Sequence, residues 1–263
     1  MKTNIYSLEG NVAGEIELPA VFSEKVRIEV IRRAVISEQT MRYQPKGAYP
    51  FAGLETSARY RGRKEIFGSI KNHGISRLPR EVLPHGKFGK VKRLPFAVKG
   101  RRAHPPRVAK VLIEKINKKE YDKAMKSAIA ATADKDVVSR RGHAIKQAKG
   151  IPLIVENKLE ESKKTKDVLR MLEALGINAD LERSQNRKKR SGVRENRKGG
   201  YTTPKSVLIV VGEDRGLCKA AGNIAGVDAV TVEKLKVELL APGTQPGRLT
   251  IWSKGAIEKL AKM

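Results

Sequence analysis

A stretch of 68 residues, Tyr43–Lys110, concentrates the charge of this chain and fits no regular secondary structure. It holds 17 Lys/Arg and three acidic residues, a net +14, which is about half of the +27 of the whole chain. Eight Gly and seven Pro interrupt it, so neither a helical nor an alternating apolar pattern continues for more than a few positions. The stretch is therefore predicted to have no folded core of its own and to take its order from a partner.

The same stretch contains seven of the chain's twelve aromatic residues, whereas generic disorder is poor in aromatics. Lys and Arg neutralise phosphates, aromatic rings and guanidinium planes stack on unpaired bases, and glycines let the backbone approach nucleic acid closely. We therefore predict that the stretch binds RNA. The alternative is a solvated basic linker, which the aromatic content disfavours.

A second basic run, Arg183–Lys205, has nine Lys/Arg and a single acid, and the other 172 residues carry only +5. Most of the net positive charge thus lies in two segments, and the rest of the chain has the nearly balanced charge of an ordinary globular protein. We predict a single globular α/β domain formed by residues 1–42 and 105–263. Residues 43–104 are predicted to be an extended RNA-binding loop inserted in this domain, and residues 183–205 a second basic loop.

Strands are predicted where short apolar runs are bounded by turn residues. The predicted strands lie on either side of the turn Gly10-Asn11 within residues 3–22, and at 151–155, 177–181, 206–211, 227–232 and 249–252. The run 206–211 is apolar at nearly every position, as expected of a strand covered on both faces.

Helices are predicted where apolar residues recur at helical spacing. The first predicted helix is 24–42, with Ser23 as N-cap, and two more follow, one over Val108–Ile116 and one after the capping pair Asn117 and Glu120. A fourth is capped by Thr165, with Gly176 at its C′ position. The last two lie around 220–225 and from Ser253 to the end. Strands alternating with helices indicate a mostly parallel, doubly wound, Rossmann-like α/β sheet.

Candidate catalytic residues are few. The turn Gly212–Gly216 follows a predicted strand, but it matches neither GxGxxG nor GxxxxGK[ST], so its Glu213 and Asp214 are predicted to be surface residues. Cys218 is predicted to be a small buried hydrophobe, and His143 a solvated or RNA-facing residue at a helix end. We predict no catalytic residue, no cofactor and no small-molecule substrate.

Neither metal nor membrane binding is indicated. A single cysteine excludes a disulfide framework, and the four scattered histidines have no zinc-site spacing. The N-terminus has no apolar signal region, and the longest aliphatic run, Val207–Val211, is too short to cross a bilayer. The expected location is the cytoplasm, or the nucleus if the cell has one.

The residues predicted to bind RNA combine cations with aromatic and imidazole rings of the two basic segments. In the long stretch they are Arg59, Tyr60, Arg61, Arg63, Lys64, Phe67, Lys71, His73, Arg77, Arg80, Lys87, Phe88, Lys90, Lys92, Arg93, Lys99, Arg101, Arg102, His104 and Arg107. In the second run they are Arg187, Lys188, Lys189, Arg190, Arg194, Arg197 and Lys198.

Four motifs, distributed over most of the chain, resemble the family of the fourth protein of the large ribosomal subunit, in its archaeal and eukaryotic branch. They are Val98–Pro106 (VKGRRAHPP), Ser127–Ala133 (SAIAATA), the basic run Lys189–Lys198, and Leu240–Gly243 (LAPG) with Pro246–Trp252 (PGRLTIW).

The resemblance implies a structural, non-catalytic ribosomal protein that supports subunit assembly, with an α/β body on the outer surface of the ribosome. It implies a long loop threading through large-subunit rRNA toward the nascent-peptide exit tunnel. The implied partners are large-subunit rRNA, neighbouring large-subunit proteins, and the nascent peptide near the loop tip. The far end of the loop is expected between about Glu65 and Arg93, since residues 43–104 going out and back can reach on the order of 100 Å.

Two other classes remain as alternatives. An RNA-modifying enzyme with a Rossmann-like body would need a cofactor loop, which the turn after Val211 lacks. A DNA-compacting protein would need no long aromatic-bearing loop, and it should bind duplex DNA as tightly as rRNA at matched salt.

Overall fold

The computed structural model describes residues 2–262, without the side chain of Lys198. Its internal contacts separate two units, Met1–Arg42 with Ile113–Met263, called the body here, and Tyr43–Leu112, called the long segment. No helix within residues 2–262 is both long enough and apolar enough to cross a membrane.

Ten strands occur within the described residues. They are β1 (Lys2–Tyr6), β2 (Val12–Glu17), β3 (Arg80–Val82), β4 (Phe88–Val91), β5 (Leu153–Val155), β6 (Lys188–Lys189), β7 (Tyr201–Thr202), β8 (Leu208–Val211), β9 (Asp228–Thr231) and β10 (Thr250–Ser253). Six of them form one sheet in the order β2-β1-β5-β10-β8-β9. β2 is antiparallel to β1, and every other neighbouring pair is parallel. The predicted mostly parallel α/β fold is therefore confirmed.

Nine α-helices lie in the same part of the chain. They are α1 (Ile28–Thr40), α2 (Lys118–Ala133), α3 (Lys135–Arg140), α4 (Thr165–Ala174), α5 (Asn178–Gln185), α6 (Val193–Lys198), α7 (Leu217–Ala221), α8 (Val237–Leu240) and α9 (Lys254–Ala261). The hydroxyl of Ser253 accepts a hydrogen bond from the Ala256 amide at 3.0 Å, so the closing helix begins where it was predicted.

The core fills both faces of the sheet. Strand β8 is buried at every residue, and its side chains alternate between the faces, as in any strand. Ile209 and Val211 join a cluster with apolar side chains of α4, α5 and α7, while Leu208 and Val210 join one with those of α1, α2 and α9. Burial on both faces is the reason for the unbroken apolar sequence of β8.

One predicted helix, Val108–Ile116, is absent, because residues 107–117 contain no helix. Val108 and Val111 are 65% and 83% exposed. Short helices depend on burying an apolar face, and β-branched residues add little helix propensity of their own. Only the second of the two helices predicted here, α2, forms.

The strand predicted at Ile177–Leu181 is helix α5 instead. Both of these apolar residues are buried, and they lie four positions apart, which puts them on one face of a helix. The Leu181 amide donates to the Ile177 carbonyl at 3.2 Å. Apolar alternation over so short a run cannot be distinguished from helical spacing by sequence alone.

Of the helix caps predicted from the sequence, the C-terminal glycine of α4 is confirmed, and Ser23, Asn117 and Thr165 are not caps of the predicted helices. Ser23 ends a short 3₁₀ helix, and the side chain of Asn117 makes no capping hydrogen bond to α2. Thr165 is the first residue of α4 and not its cap. Gly176 follows the last residues of α4 with a φ of +78°, which confirms its predicted C′ position.

Candidate nucleic-acid interface

The long segment contains an antiparallel ribbon formed by β3 and β4, with the turn Pro84–Gly86 between them. Arg59 and Arg80 extend it through a pair of backbone hydrogen bonds of 3.0 and 3.2 Å. Ala58 and Ile70 are only 1% and 2% exposed. The middle part of this stretch therefore has local order that was not predicted, although neither hydrophobic core cluster of the described residues includes any of its residues. Apolar periodicity detects amphipathic elements, but it does not detect a ribbon organised by turns and backbone pairing.

Most of the predicted binding residues of the long segment face solvent. Five are half-buried, namely Arg61, Lys71, Arg80, Phe88 and Lys92. The other fifteen are exposed, namely Arg59, Tyr60, Arg63, Lys64, Phe67, His73, Arg77, Lys87, Lys90, Arg93, Lys99, Arg101, Arg102, His104 and Arg107.

The cations of the long segment lack carboxylate partners. In the part of the chain that the structure describes, Lys92 is the one cation of the 17 that forms an ion pair, with Glu81 at 3.9 Å. The body differs, with pairs such as Arg33 with Glu120 at 2.8 Å. Like charges without neighbouring acids repel one another, and an anionic partner relieves that repulsion.

Aromatic rings are exposed among these cations. Phe67 is 97% exposed, Phe96 75% and Tyr60 52%, whereas Phe88 is half-buried in β4. Exposed rings beside free cations can stack on unpaired bases. Phe96 was absent from the predicted binding residues, although its position between Arg93 and Lys99 was a usable signal.

The second basic loop, Arg183–Lys205, forms its own small structure of β6, α6 and β7. Lys188 pairs with Thr202, and Lys189 pairs with Tyr201. Of the predicted binding residues, Lys198 lies outside the described side chains. Arg190 is half-buried, and the others are exposed, namely Arg187, Lys188, Lys189, Arg194 and Arg197.

The two ends of the second basic loop are fixed to the body by a polar network. The Arg183 guanidinium donates to the Lys205 carbonyl at 2.8 Å, which joins one end to the other. The Lys205 ammonium lies 2.8 Å from Asp228, and the fully buried guanidinium of Arg248 donates to the same carboxylate at 2.6 Å. Both ends of the loop are therefore held by hydrogen bonds and an ion pair. Nothing in the sequence indicated this arrangement, because its members are far apart along the chain.

Asp180 is the anionic centre of this network. Its carboxylate is fully buried and accepts hydrogen bonds from Arg183 at 2.9 Å, from the Ala144 amide at 3.0 Å and from the Ser206 hydroxyl at 2.5 Å. Burial opposes its ionisation, but the hydrogen bonds from His143 and Arg183 outweigh burial and hold the pKa of Asp180 well below its usual range.

His143 was predicted to be solvated or RNA-facing, and this was wrong. Its side chain is 1% exposed, and its Nδ1 lies 3.1 Å from both carboxylate oxygens of Asp180. Burial lowers the pKa of His143, and the charge of Asp180 only partly opposes this. Its Nε2 has no hydrogen-bond partner within residues 2–262, so a second proton there would be buried without an acceptor.

Comparison with known proteins identifies the family. A family model described as "Ribosomal protein L4/L1 family" matches residues 16–263. The chain belongs to this family. It is 48% identical over 263 residues to the large ribosomal subunit protein uL4 of Archaeoglobus fulgidus, covering 100% of this chain and 99% of the relative. It is 47% identical to uL4 of Methanosphaera stadtmanae, covering 100% and 97%, and 46% identical to uL4 of Methanocaldococcus jannaschii, covering 99% and 98%.

The resemblance noted in the sequence is thereby confirmed. The ribosomal protein L4/L1 family consists of structural ribosomal proteins and not of enzymes. Within residues 2–262, no group of three or more His, Cys, Asp or Glu side chains is placed to hold a metal ion.

Enzymes with open α/β sheets bind ligands at the carboxyl ends of the strands. In this body, a glutamate side chain contacts the residues at the carboxyl ends of β8 and β10. The buried carboxylate of Glu160 accepts a hydrogen bond from the Gly212 amide at 2.8 Å and another from the Ser253 hydroxyl at 2.7 Å. An internal carboxylate therefore takes the donors that could otherwise bind a ligand anion.

The side chains of the turn after β8 are structural. Glu213 and Asp214 are exposed, as predicted, and Asp214 accepts from the amides of Gly216 and Cys218 at 3.0 and 3.2 Å. Cys218 is half-buried and not fully buried as predicted. Burial, with the hydrogen bond to Asp214, raises the pKa of the Cys218 thiol to about 11, so the thiol stays protonated and is a poor nucleophile at neutral pH.

Proposed function

We propose that this chain, a structural constituent of the large ribosomal subunit in the cytoplasm, binds large-subunit rRNA through the long segment and the second basic loop. The observation that carries the proposal is the set of exposed cations in the long segment that have no carboxylate partner, together with exposed rings beside them. Phosphates supply the missing negative charge, and unpaired bases supply flat surfaces for the rings.

The long segment and the second basic loop are proposed to contact rRNA in different ways. The long segment combines charge with seven aromatic residues, and its binding residues include the fifteen exposed ones described above. The second basic loop has charge and one aromatic, Tyr201, so it acts mainly through phosphates. Its fixed base supports this role, because a loop held at both ends loses less conformational freedom on binding.

Stable co-migration with large subunits tests the proposal. Wild-type protein should stay with large subunits on a sucrose gradient after a high-salt wash. A variant in which Arg187, Lys188, Lys189 and Arg190 are all changed to Gln should be partly released by the wash. The matched control changes four exposed body lysines to Gln, Lys146, Lys166, Lys219 and Lys236, and should stay bound. Complete release of wild type by the wash would contradict an integral role.

Residues 43–104 are proposed to be a binding element inserted in the body. The body has its own sheet and two core clusters, which include no residue of that stretch. Replacing Gln44–His104 by a short Gly/Ser linker should leave a cooperative thermal transition and the body's helical circular dichroism. The truncated protein should support subunit assembly poorly. Loss of the cooperative transition would show that the stretch is part of the fold.

The far end of the long segment, between about Glu65 and Arg93, is proposed to approach the nascent-peptide exit tunnel. The exposed turn Pro84–Gly86, at the end of the β3–β4 ribbon, suits such a tip. With Cys218 changed to Ser, a His85→Cys variant has one thiol. Short bifunctional crosslinkers should join it to a cysteine-bearing arrested nascent chain, whereas Lys166→Cys in the body should give no product. Equal products from both positions would contradict this placement.

Contacts with neighbouring large-subunit proteins are also proposed, in keeping with the relatives' place in that subunit. Chemical crosslinking of intact subunits followed by mass spectrometry should join body lysines to other large-subunit proteins. Crosslinks confined to this chain would argue against such neighbours.

A further inference from the structure

A cleft with a volume of about 520 Å³ lies within the long segment, along β4 and the turn that follows it. Its apolar lining includes Leu78, Val91 and Phe96, and its cations are Lys90, Lys92 and Lys99. This volume is within the range of about 300–1,000 Å³ that is usual for sites binding small molecules. Apolar lining with a cationic margin is suited to a flat ligand that carries negative charge on either side.

The aromatic side of this cleft is open to solvent. Phe96 is 75% exposed and the adjacent wall residue Val98 is 81% exposed. Apolar side chains exposed together around a concavity mark interaction sites more often than isolated ones do. The ring of Phe96 is therefore available for stacking without any rearrangement of a core.

The cations of the cleft have different roles. Lys92 is held inside, since its ammonium lies 3.9 Å from Glu81 and 3.4 Å from the Val98 carbonyl. Lys90 and Lys99 are exposed and form no ion pair with the described residues. These two are the cations free to bind an anion.

The backbone of the turn is constrained around Phe96. Arg93 and Lys99, on either side of it, have φ values of +71° and +60°, which non-glycine residues adopt rarely and at some cost. A Cβ on Gly100 would lie 1.8 Å from the Leu94 carbonyl oxygen, so the chain passes too close there for any side chain. Strained backbone that the surrounding structure keeps in place is typical of binding sites. The backbone that carries Phe96 is thus constrained on both sides of the ring.

We propose that this cleft binds one unpaired nucleobase of RNA, with the ring of Phe96 stacking on the base and with Lys90 and Lys99 binding the phosphates on either side of it. The proposal rests on the proposed rRNA binding and assigns one specific contact within it. Stacking accepts any base, because every base has a π face, whereas the two lysines require the phosphates of a polynucleotide.

The test compares two probes of equal length, a short oligouridylate and an abasic ribose-phosphate chain, which has the same phosphates and no bases. Phe96→Leu in the full chain should weaken oligouridylate binding by about five- to 150-fold, the loss of one stacked base. Binding to the abasic chain should be unchanged. Changing Lys90 and Lys99 together to Gln should weaken binding to both probes.

Two further variants keep the test decisive. Phe51→Leu removes another exposed ring, one that packs edge-on against Tyr49 with centroids 5.9 Å apart, and it should have less effect than Phe96→Leu. Phe96→Trp should retain affinity, and its added fluorescence should be quenched by oligouridylate and not by the abasic chain. The one natural tryptophan, Trp252, is fully buried and gives a constant background in wild type.

Three results would overturn the inference. Equal losses of Phe96→Leu on both probes would show that the ring only supports the turn. No loss on either probe would show that no base binds there. Phe96→Leu subunits that keep wild-type rRNA binding but lack a neighbouring protein would show that the occupant is a protein. If wild type itself binds neither oligouridylate nor rRNA fragments, it is the proposed function that fails.

Discussion

Changing Asp180 to Asn should destabilise the body strongly although no partner molecule is involved. The substitution keeps the shape of the side chain and removes the charge that faces Arg183 and His143 at 2.9 and 3.1 Å. Removing one partner of a buried ion pair costs about 3–5 kcal/mol. Because Arg183 is 33% exposed and keeps some hydration, and because His143 can remain neutral, we expect about 3 kcal/mol, the lower end of that range.

The assay is urea unfolding followed by circular dichroism. A loss of about 3 kcal/mol should lower the urea midpoint by about 1 M or more, for slopes of about 1–3 kcal/mol per M. Asp122→Asn, on the exposed face of α2, is the matched control and should change stability by no more than about 0.5 kcal/mol. If the two variants unfold at the same urea concentration, the buried charge of Asp180 does not stabilise the body.

The pH dependence gives an independent check on the same network. The pKa values of both Asp180 and His143 are lowered in the folded chain, so the unfolded chain takes up each proton at a higher pH. These two groups should therefore make wild type less stable as the pH falls below about 6.5, the ordinary pKa of His, and again below about 3.9, that of Asp. Asp180→Asn should show a smaller second decrease, and the part that remains comes from Asp228 and Asp214, whose pKa values are also lowered in the folded chain.

Three further predictions concern binding and the fold. Changing Arg187, Lys188, Lys189 and Arg190 to Gln should reduce the slope of log affinity for an rRNA fragment against log salt by up to about 3 units, and the variant with four altered body lysines should not change it. In urea unfolding, Gly176→Ala should destabilise the body by more than Gly142→Ala. Both glycines have positive φ, at +78° and +97°, but only at Gly176 would a Cβ clash, since it would lie 2.1 Å from the Gln147 carbonyl oxygen. Gly142→Ala should then cost about 1–2 kcal/mol, the cost of left-handed backbone alone, and equal effects would contradict the role of the clash. Changing Glu213 and Asp214 together to Ala should leave subunit assembly intact, and a nucleotide or S-adenosylmethionine binding activity that this variant loses would contradict the structural role of the turn.

Local signals in the sequence predicted the fold class and several elements well. The unbroken apolar run of β8 is typical of a strand buried on both faces, and the glycine after α4 fits the positive φ of a helix C-terminus, so both features are visible in the local sequence. The predicted parallel sheet followed from such signals in alternation. Short ambiguous segments such as Ile177–Leu181 failed, because their structure is decided by what they pack against.

The sequence predicted which segments of the chain form the candidate interface, but it did not predict how their side chains are arranged in space. Charge and aromatic content located both basic segments, since composition is a property of the sequence itself. The pairing of Asp180 with His143, the fixing of Lys205 by Asp228, and the cleft beside Phe96 depend on residues brought together by folding. No spacing rule connects positions 143 and 180, which explains why a buried histidine was interpreted as a solvated one.

The carboxylate of Glu160 at the ends of β8 and β10 has a consequence for how this edge of the sheet is stabilised. Doubly wound sheets in metabolic enzymes leave this position open, so their conformation and stability respond to the supply of cofactors and nucleotides. Here Gly212 and Ser253 donate to an internal acid that is present at a fixed stoichiometry of one per chain. The conformation at the ends of β8 and β10 should therefore need no bound anion, because the acid that accepts these hydrogen bonds is part of the folded chain.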